Sequence, residues 1–210
     1  QSLPKGRLLD LGCGSGDLVA AANEAGWEAW GADVDPGVIT NLVGRGLRAV
    51  ETRDLDRLEG TMSVVTLIDV LEHVPSPVDV VRQAARCLHK DGVLVIQGPL
   101  EGSDGLFGEA LRTQGAIRRR PVTMPLWHIN QFTAAGMLNL ANRVGNIDEY
   151  HLSRVAWPAC ASLKEARSRG LRGTMLWALR RLSAPLDERH AVRGANRITI
   201  KMRPAIERCG

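Results

Sequence analysis

No apolar run in the 210-residue sequence approaches the roughly 18 to 20 residues needed to cross a bilayer. No basic and then apolar leader opens it, so export is not expected. The four cysteines, Cys13, Cys87, Cys160 and Cys209, lie far apart without paired spacing. That argues against a disulfide framework or a structural zinc ribbon and makes a reducing, cytoplasmic setting the expected one. Among aromatics there are one Tyr and two Phe, and no cluster of rings stands ready to stack on nucleobases. Internal repeats and low-complexity tracts are missing too.

What remains is an ordinary folded composition, 44% hydrophobic and 24% charged, of a size suited to one α/β domain. The chain opens on Gln1 and reaches a glycine loop by residue 12, which raises the expectation of an N-terminal helix ahead of it. The net charge of +4 is unevenly spread, with acids in excess over residues 1–100 and bases in excess over 101–210. A basic second half suits an anionic partner, although a solvated basic face has the same signature.

Short apolar runs alternate with helical patterns over the first hundred residues. Arg7–Leu11, Trp27–Ala32, Leu47–Val50, Ser63–Ile68 and Gly92–Ile96 read as strands. Asp17–Ala25, a segment from Pro36 to before Gly46, and Ser76–Leu88 read as helices. This alternation predicts a parallel sheet with right-handed crossovers. After Gly98-Pro99 the rhythm breaks. A helix is expected over Gly105–Ile117, then Arg118-Arg119-Arg120, a helix over Thr133–Arg143, a strand within 147–157, a basic helical stretch over 161–190 and a last strand at Asn196–Met202.

The run Asp10-Leu11-Gly12-Cys13-Gly14-Ser15-Gly16-Asp17 passes from strand through a glycine turn into a helix. Glycines let the backbone come close to a ligand. A dinucleotide fingerprint needs glycine at position 17, where Asp17 stands. An acid there repels a pyrophosphate at the helix start, so the loop favours a cofactor without phosphates. Asp10 is placed to orient the loop and meet a cationic aminoacyl group. Asp33 ends the second strand, where a carboxylate accepts from both hydroxyls of a ribose. Asp35 precedes Pro36 and reads as a helix cap. Asp54, with Leu55, follows the third strand and is either an adenine contact or a plain loop acid. Cys13 is explained by small size, since no base accompanies it.

Asp10–Gly16, Gly31-Ala32-Asp33, Asp69-Val70-Leu71-Glu72-His73-Val74 and Lys90-Asp91-Gly92-Val93-Leu94-Val95 together resemble the class I S-adenosylmethionine (SAM)-dependent methyltransferases. The nearest subgroup is the ubiquinone-biosynthesis O-methyltransferase type. The resemblance runs from residue 7 to about 143. It implies a Rossmann-like, mostly parallel seven-stranded sheet with helices on both faces, an antiparallel last strand and a helical lid. The whole chain then forms one domain, with a SAM-binding core over 1–100, a lid over 101–127 and a C-terminal half over 128–210. It further implies that Gly12, Cys13, Gly14, Ser15 and Gly16 line the SAM pocket, that Asp33 and Val34 meet the ribose end, and that Asp54, Leu55 and Ile68 flank the adenine.

For chemistry, Asp69, Glu72 and His73 lie at the carboxyl end of the fourth strand, where ligands of open α/β sheets bind. Acids at i and i+3 followed by His suit a divalent cation, Mg²⁺ or Zn²⁺. The resemblance extends to metal-dependent O-methyltransferases, in which an acid-x-x-Glu-His segment works with a distant His; His128 fills that place, though the first acid is Asp69 rather than Glu. A metal-free general base, His73 or His128, is equally compatible. A purely structural reading has Glu72-His73 capping the turn before Pro75 and His128 packing on Trp127. His89 reads as a helix-end residue beside Lys90. The expected reaction is methyl transfer to a hydroxyl of a small molecule, apolar or anionic, with RNA 2′-O-methylation as the alternative. The lid and the segment Lys164–Arg181 carry apolar and cationic sides, which suits peripheral membrane contact or simple packing on the sheet.

Overall fold

The computed structural model describes residues 6–100, 128–153 and 197–205. The chain divides into two compact units. The first takes in Gln1–Pro99, Trp127–His151 and Ile198–Gly210; the second, Leu100–Leu126 and Leu152–Arg197, lies almost wholly outside the described residues. The helix expected at Gly105–Ile117, Arg118 to Arg120, the lid and the basic stretch over 161–190 fall outside them too. Among the described residues no helix is long and apolar enough to cross a membrane.

The described elements are β1 (Arg7–Leu11), α1 (Asp17–Glu24), β2 (Glu28–Asp33), α2 (Pro36–Gly44), β3 (Arg48–Glu51), β4 (Met62–Ile68), α3 (Pro77–Cys87), β5 (Leu88–Pro99), α4 (Ala134–Asn142), β6 (Gly145–Ser153) and β7 (Arg197–Pro204). Short 3₁₀ segments at Thr52–Leu58 and Leu71–His73 complete them. The strands form one seven-stranded sheet in the order β3-β2-β1-β4-β5-β7-β6. From β3 to β5 neighbouring strands pair in parallel. Gln97 near the end of β5 donates to Thr199 near the start of β7, and Ala205 N, just past β7, donates to Val144 O, just before β6. Strand β7 thus runs against both neighbours, as the resemblance implied.

The apolar strand sequences follow from this placement. Residues Leu8 to Leu11 and Val64 to Leu67 are buried, because central parallel strands are covered on both faces and lose the alternation of an exposed strand. Chain order reverses between β1 and β4. That switch point opens a crevice at the carboxyl ends of the two strands. Their register aligns Asp10 with Thr66.

Helix starts obey local chemistry. Asp35 accepts from Gly37 N at 2.7 Å ahead of Pro36, as its cap assignment required. Thr133 caps α4 through Gly136 N at 3.1 Å. Under the glycine loop, Leu42 of α2 is 1% exposed and packs with Leu8, Cys13, Val19, Ala22, Ala29 and Val64. A Cβ on Gly16 would lie 2.9 Å from Leu42 Cγ, and one on Gly31 would lie 2.9 Å from Leu42 Cδ2. Leu42 therefore fits only because both positions lack side chains.

His89 corrects an expectation. Helix α3 stops at Cys87 and β5 begins at Leu88. Met62 pairs with Leu88 and Val64 with Val93, so residues 89–92 bulge out of the ladder. The His89 ring turns back on this bulge, Nδ1 accepting from Asp91 N at 3.1 Å, so His89 belongs to the strand and not to the helix end.

Candidate functional site

Strand β1 ends in a loop whose three glycines all take positive φ: 83° at Gly12, 49° at Gly14 and 76° at Gly16. Gly12 N and Cys13 N both donate to Ala32 O, at 2.7 and 3.1 Å, which ties the loop to the end of β2. Gly14 N donates to Asp33 Oδ2 at 3.1 Å, and Asp33 Oδ1 accepts from Asp35 N at 3.1 Å. The carboxylate is thereby held at the mouth of the loop with lone pairs to spare for a hydroxylated ligand. Open space faces Gly14, where a Cβ would meet nothing within 4 Å. Ser15 Oγ donates to Asp17 Oδ2 at 2.8 Å, and Arg45 reaches back from the end of α2 to donate to Ser15 O.

Beneath the loop, Asp10 is 5% exposed and accepts from Thr66 Oγ1 at 2.6 Å. Burial pushes its carboxyl above the usual range, the Thr66 hydroxyl pulls it back, and nearby Asp33 pushes it up again. A carboxylate kept costly in this way gains most from a cationic partner. Cys13 points away from the crevice: its Sγ would lie 2.8 Å from a Cβ on Gly31. Burial and the Asp10 and Asp33 charges raise its thiol to about 12. Only its backbone can line the loop.

The residues expected to flank an adenine differ in what they present. Val34 is 78% exposed beside Asp33. Asp54 is half-buried in the first turn of the Thr52–Leu58 segment, 3.3 Å from Arg57 Nη2. Leu55 is 2% exposed, so its side chain belongs to the core and its backbone alone is offered. Ile68 is half-buried at the end of β4.

Past β4 the chain turns sharply. Asp69 N still pairs with Gln97 O at 3.0 Å, yet Asp69 itself takes φ 54°, the one positive-φ residue other than glycine among those described. Leu71 and Glu72 are both 1% exposed and His73 is exposed. Glu72, His73 and His128 bring one ligand atom each within 4.8 Å of one another. The two imidazoles meet edge to face, centroids 4.9 Å apart and planes at 73°. Asp69 lies outside that set.

Glu72 Oε2 is buried without a hydrogen-bond partner among the described residues, near Gly98. Burial raises its carboxyl; the hydrogen bond of its own backbone lowers it, Asp69 raises it, and His73 and His128 lower it. A buried carboxyl beside two imidazoles can hold a proton, hand one over, or ligate a cation.

Asn130 is what sequence reasoning missed. Its side-chain amide donates to Leu71 O at 3.0 Å and Val74 O at 2.5 Å. Ile129 N and Asn130 N donate to Glu72 O at 2.9 and 3.1 Å. These bonds staple residues 128–130 onto the turn and so deliver His128 to His73. An amide two residues beyond a loop His was the available signal. Thr66 was missed as well, since only the β1–β4 register pairs it with Asp10.

The family described as methyltransferase domain matches residues 2–146. A ubiquinone biosynthesis O-methyltransferase of Xanthomonas campestris pv. campestris (strain B100) is 31% identical over 104 residues, 45% of this chain and 44% of that protein. The chain thus matches under half the length of that relative. A SAM-dependent methyltransferase from Archaeoglobus fulgidus superposes with a TM-score of 0.60 at 13% identity, covering 94% of this chain and 86% of the other. Magnesium protoporphyrin IX methyltransferase from Synechocystis PCC 6803, solved with bound S-adenosylhomocysteine (SAH), gives 0.57 at 15% identity, covering 94% and 74%. At these identities the two structures share the fold.

Proposed function

Because the chain belongs to the methyltransferase domain family, we propose that it transfers the methyl group of SAM to a hydroxyl oxygen of a small molecule. The observation that carries this reading is the Glu72, His73 and His128 set at the carboxyl end of β4, on the same edge of the sheet as the glycine loop.

The loop fits SAM. Gly14 faces open space, Asp33 stands ready for the ribose hydroxyls, and the strained Asp10 carboxylate for the aminoacyl ammonium. When bound, SAM supplies an activated methyl group open to in-line displacement. Positioning can then account for much of the acceleration. The acceptor hydroxyl must lose a proton, a step suited to His73 or His128 as general base. Glu72 lies within reach of both imidazoles, where its carboxyl can orient whichever ring takes up that proton.

A second reading has the same three residues hold a divalent cation. The unpartnered Glu72 Oε2 favours it, and one carboxylate with two imidazoles suits Zn²⁺ better than Mg²⁺, which prefers an all-oxygen shell. Bound there, a cation would supply Lewis-acid stabilisation of the acceptor oxygen. RNA as acceptor would reveal itself by affinity falling steeply with salt.

The test offers radiolabelled SAM with a panel of phenols, sugars and short oligoribonucleotides, with and without EDTA. Transfer to a phenol or sugar that survives EDTA and collapses in His73→Gln or His128→Gln supports the metal-free reading. Loss on chelation, restored by Zn²⁺, supports the second. Calorimetry with SAH tests the cofactor site separately: Asp33→Ala is expected to weaken binding at least tenfold, and unchanged affinity would refute the ribose role.

A further inference from the structure

We infer that Asp69 is a positioning residue that works through its backbone: its left-handed conformation is the corner that couples the cofactor loop to the Glu72–His73–His128 set. This rests on the reading of the glycine loop as a SAM site.

The geometry begins with the last bond of the ladder. Asp69 N pairs with Gln97 O, so the chain is still strand up to that atom. A strand would next send Val70 and Leu71 to opposite faces. Instead φ of 54° at Asp69 reverses the chain, and Val70 follows with helical φ −112° and ψ −46°. His73 N then closes the turn on Val70 O at 3.0 Å. Leu71 and Glu72 are both buried within this turn, off the line of β4.

The same corner throws Val70 onto the glycine loop. A Cβ on Gly12 would lie 2.5 Å from Val70 Cγ2, so Val70 occupies the volume that Gly12 leaves empty. One residue thus sets both contacts: Val70 against the loop, and Glu72 and His73 against His128. It also explains the residue type. Asp, Asn and Gly enter the left-handed region with little penalty, whereas Ala and above all β-branched residues resist it. Asp69 stands outside the Glu72–His73–His128 set, and the corner is a requirement that its residue type meets.

The experiment compares Asp69→Asn, Asp69→Gly and Asp69→Val with the unmodified chain. SAH affinity is read by calorimetry, and the His73 and His128 ring resonances by NMR. Asn and Gly are expected to keep affinity within about threefold and leave both ring resonances in place. Val is expected to weaken SAH about tenfold or more and shift both rings. Met62→Ala, a core variant at the opposite end of β4 from Asp69, controls for general destabilisation: it should lower Tm without moving affinity or rings. If Asn and Gly lose as much affinity as Val, or if Val moves neither readout, the backbone role is overturned. A chain that binds SAH and shows this ladder, yet methylates no acceptor, refutes the proposed reaction and leaves the corner standing.

Discussion

Replacing Gly12 with Ala should damage the cofactor loop in two separable ways, and Gly14 supplies the control. Both positions are left-handed, at φ 83° and 49°, so either Ala bears the conformational cost of roughly 1–2 kcal/mol. At Gly14 nothing lies within 4 Å of the new Cβ, and the loss should end there. At Gly12 the Cβ arrives 2.5 Å from Val70 Cγ2, more than 1 Å inside the roughly 3.5–4.0 Å at which carbon atoms attract. Overpacking of this kind adds about 1–3 kcal/mol. Gly12→Ala should therefore cost about 2–5 kcal/mol in all, divided between global stability and SAM affinity. Urea denaturation and calorimetric titration with SAM measure the two parts. A double-mutant cycle isolates the clash: Gly12→Ala in a Val70→Ala background should recover about 1–3 kcal/mol, because the obstructing methyl is gone. Strict additivity of the pair, or equal losses in Gly12→Ala and Gly14→Ala, would refute the reasoning.

Two further outcomes follow from buried polar groups. Asp10 has its carboxyl raised above the ordinary 3.8, chiefly by burial. The folded chain therefore holds that proton to higher pH than the unfolded one, and the stability this contributes is full below 3.8 and lost as pH rises through the folded value. Asp10→Asn should remove that slope in thermal melts run from acid to neutral pH, matching or exceeding the parent at neutral pH while binding SAM more weakly; a variant less stable at neutral pH than in acid, to the same degree as the parent, would contradict the assignment. Asn130→Ala deletes the bonds to Leu71 O and Val74 O, about 1 kcal/mol each, and leaves the glycine loop untouched. Turnover should fall tenfold or more with SAM affinity within about twofold, and an equal loss of both would show that the staple is not specific to the histidine pair.

The cofactor half was legible in the sequence because its signals are local. Glycine spacing, Asp17 at the helix start and Asp33 at a strand end each state a backbone requirement within a few residues, and the loop formed as they implied. Asp35 was equally readable, since a cap and its proline are neighbours. The acceptor side is built from distance. His128 is held beside His73 by Asn130 and the backbone of Ile129, and no periodicity reports a staple between a loop and a turn more than fifty residues apart. For Asp69 only the chemistry of the side chain could be read, and its left-handed φ was invisible. The end of α3 misled for another reason: apolar positions ran on through Leu88, which continues the helical pattern and equally opens a buried strand.

Leu42 has a consequence for heredity and for engineering. Its side chain keys into two vacancies at once, above Gly16 in the loop and beside Gly31 in the second strand. The shape of the cofactor loop is therefore stored partly in a helix that begins twenty residues later, and the seven residues of the loop are not a transplantable cassette. A graft of Asp10–Gly16 onto another parallel sheet would arrive without its template and relax. The smallest unit that carries this key is β1 through α2, Arg7–Gly44, in which a change at Leu42, Gly16 or Gly31 presses on the other two.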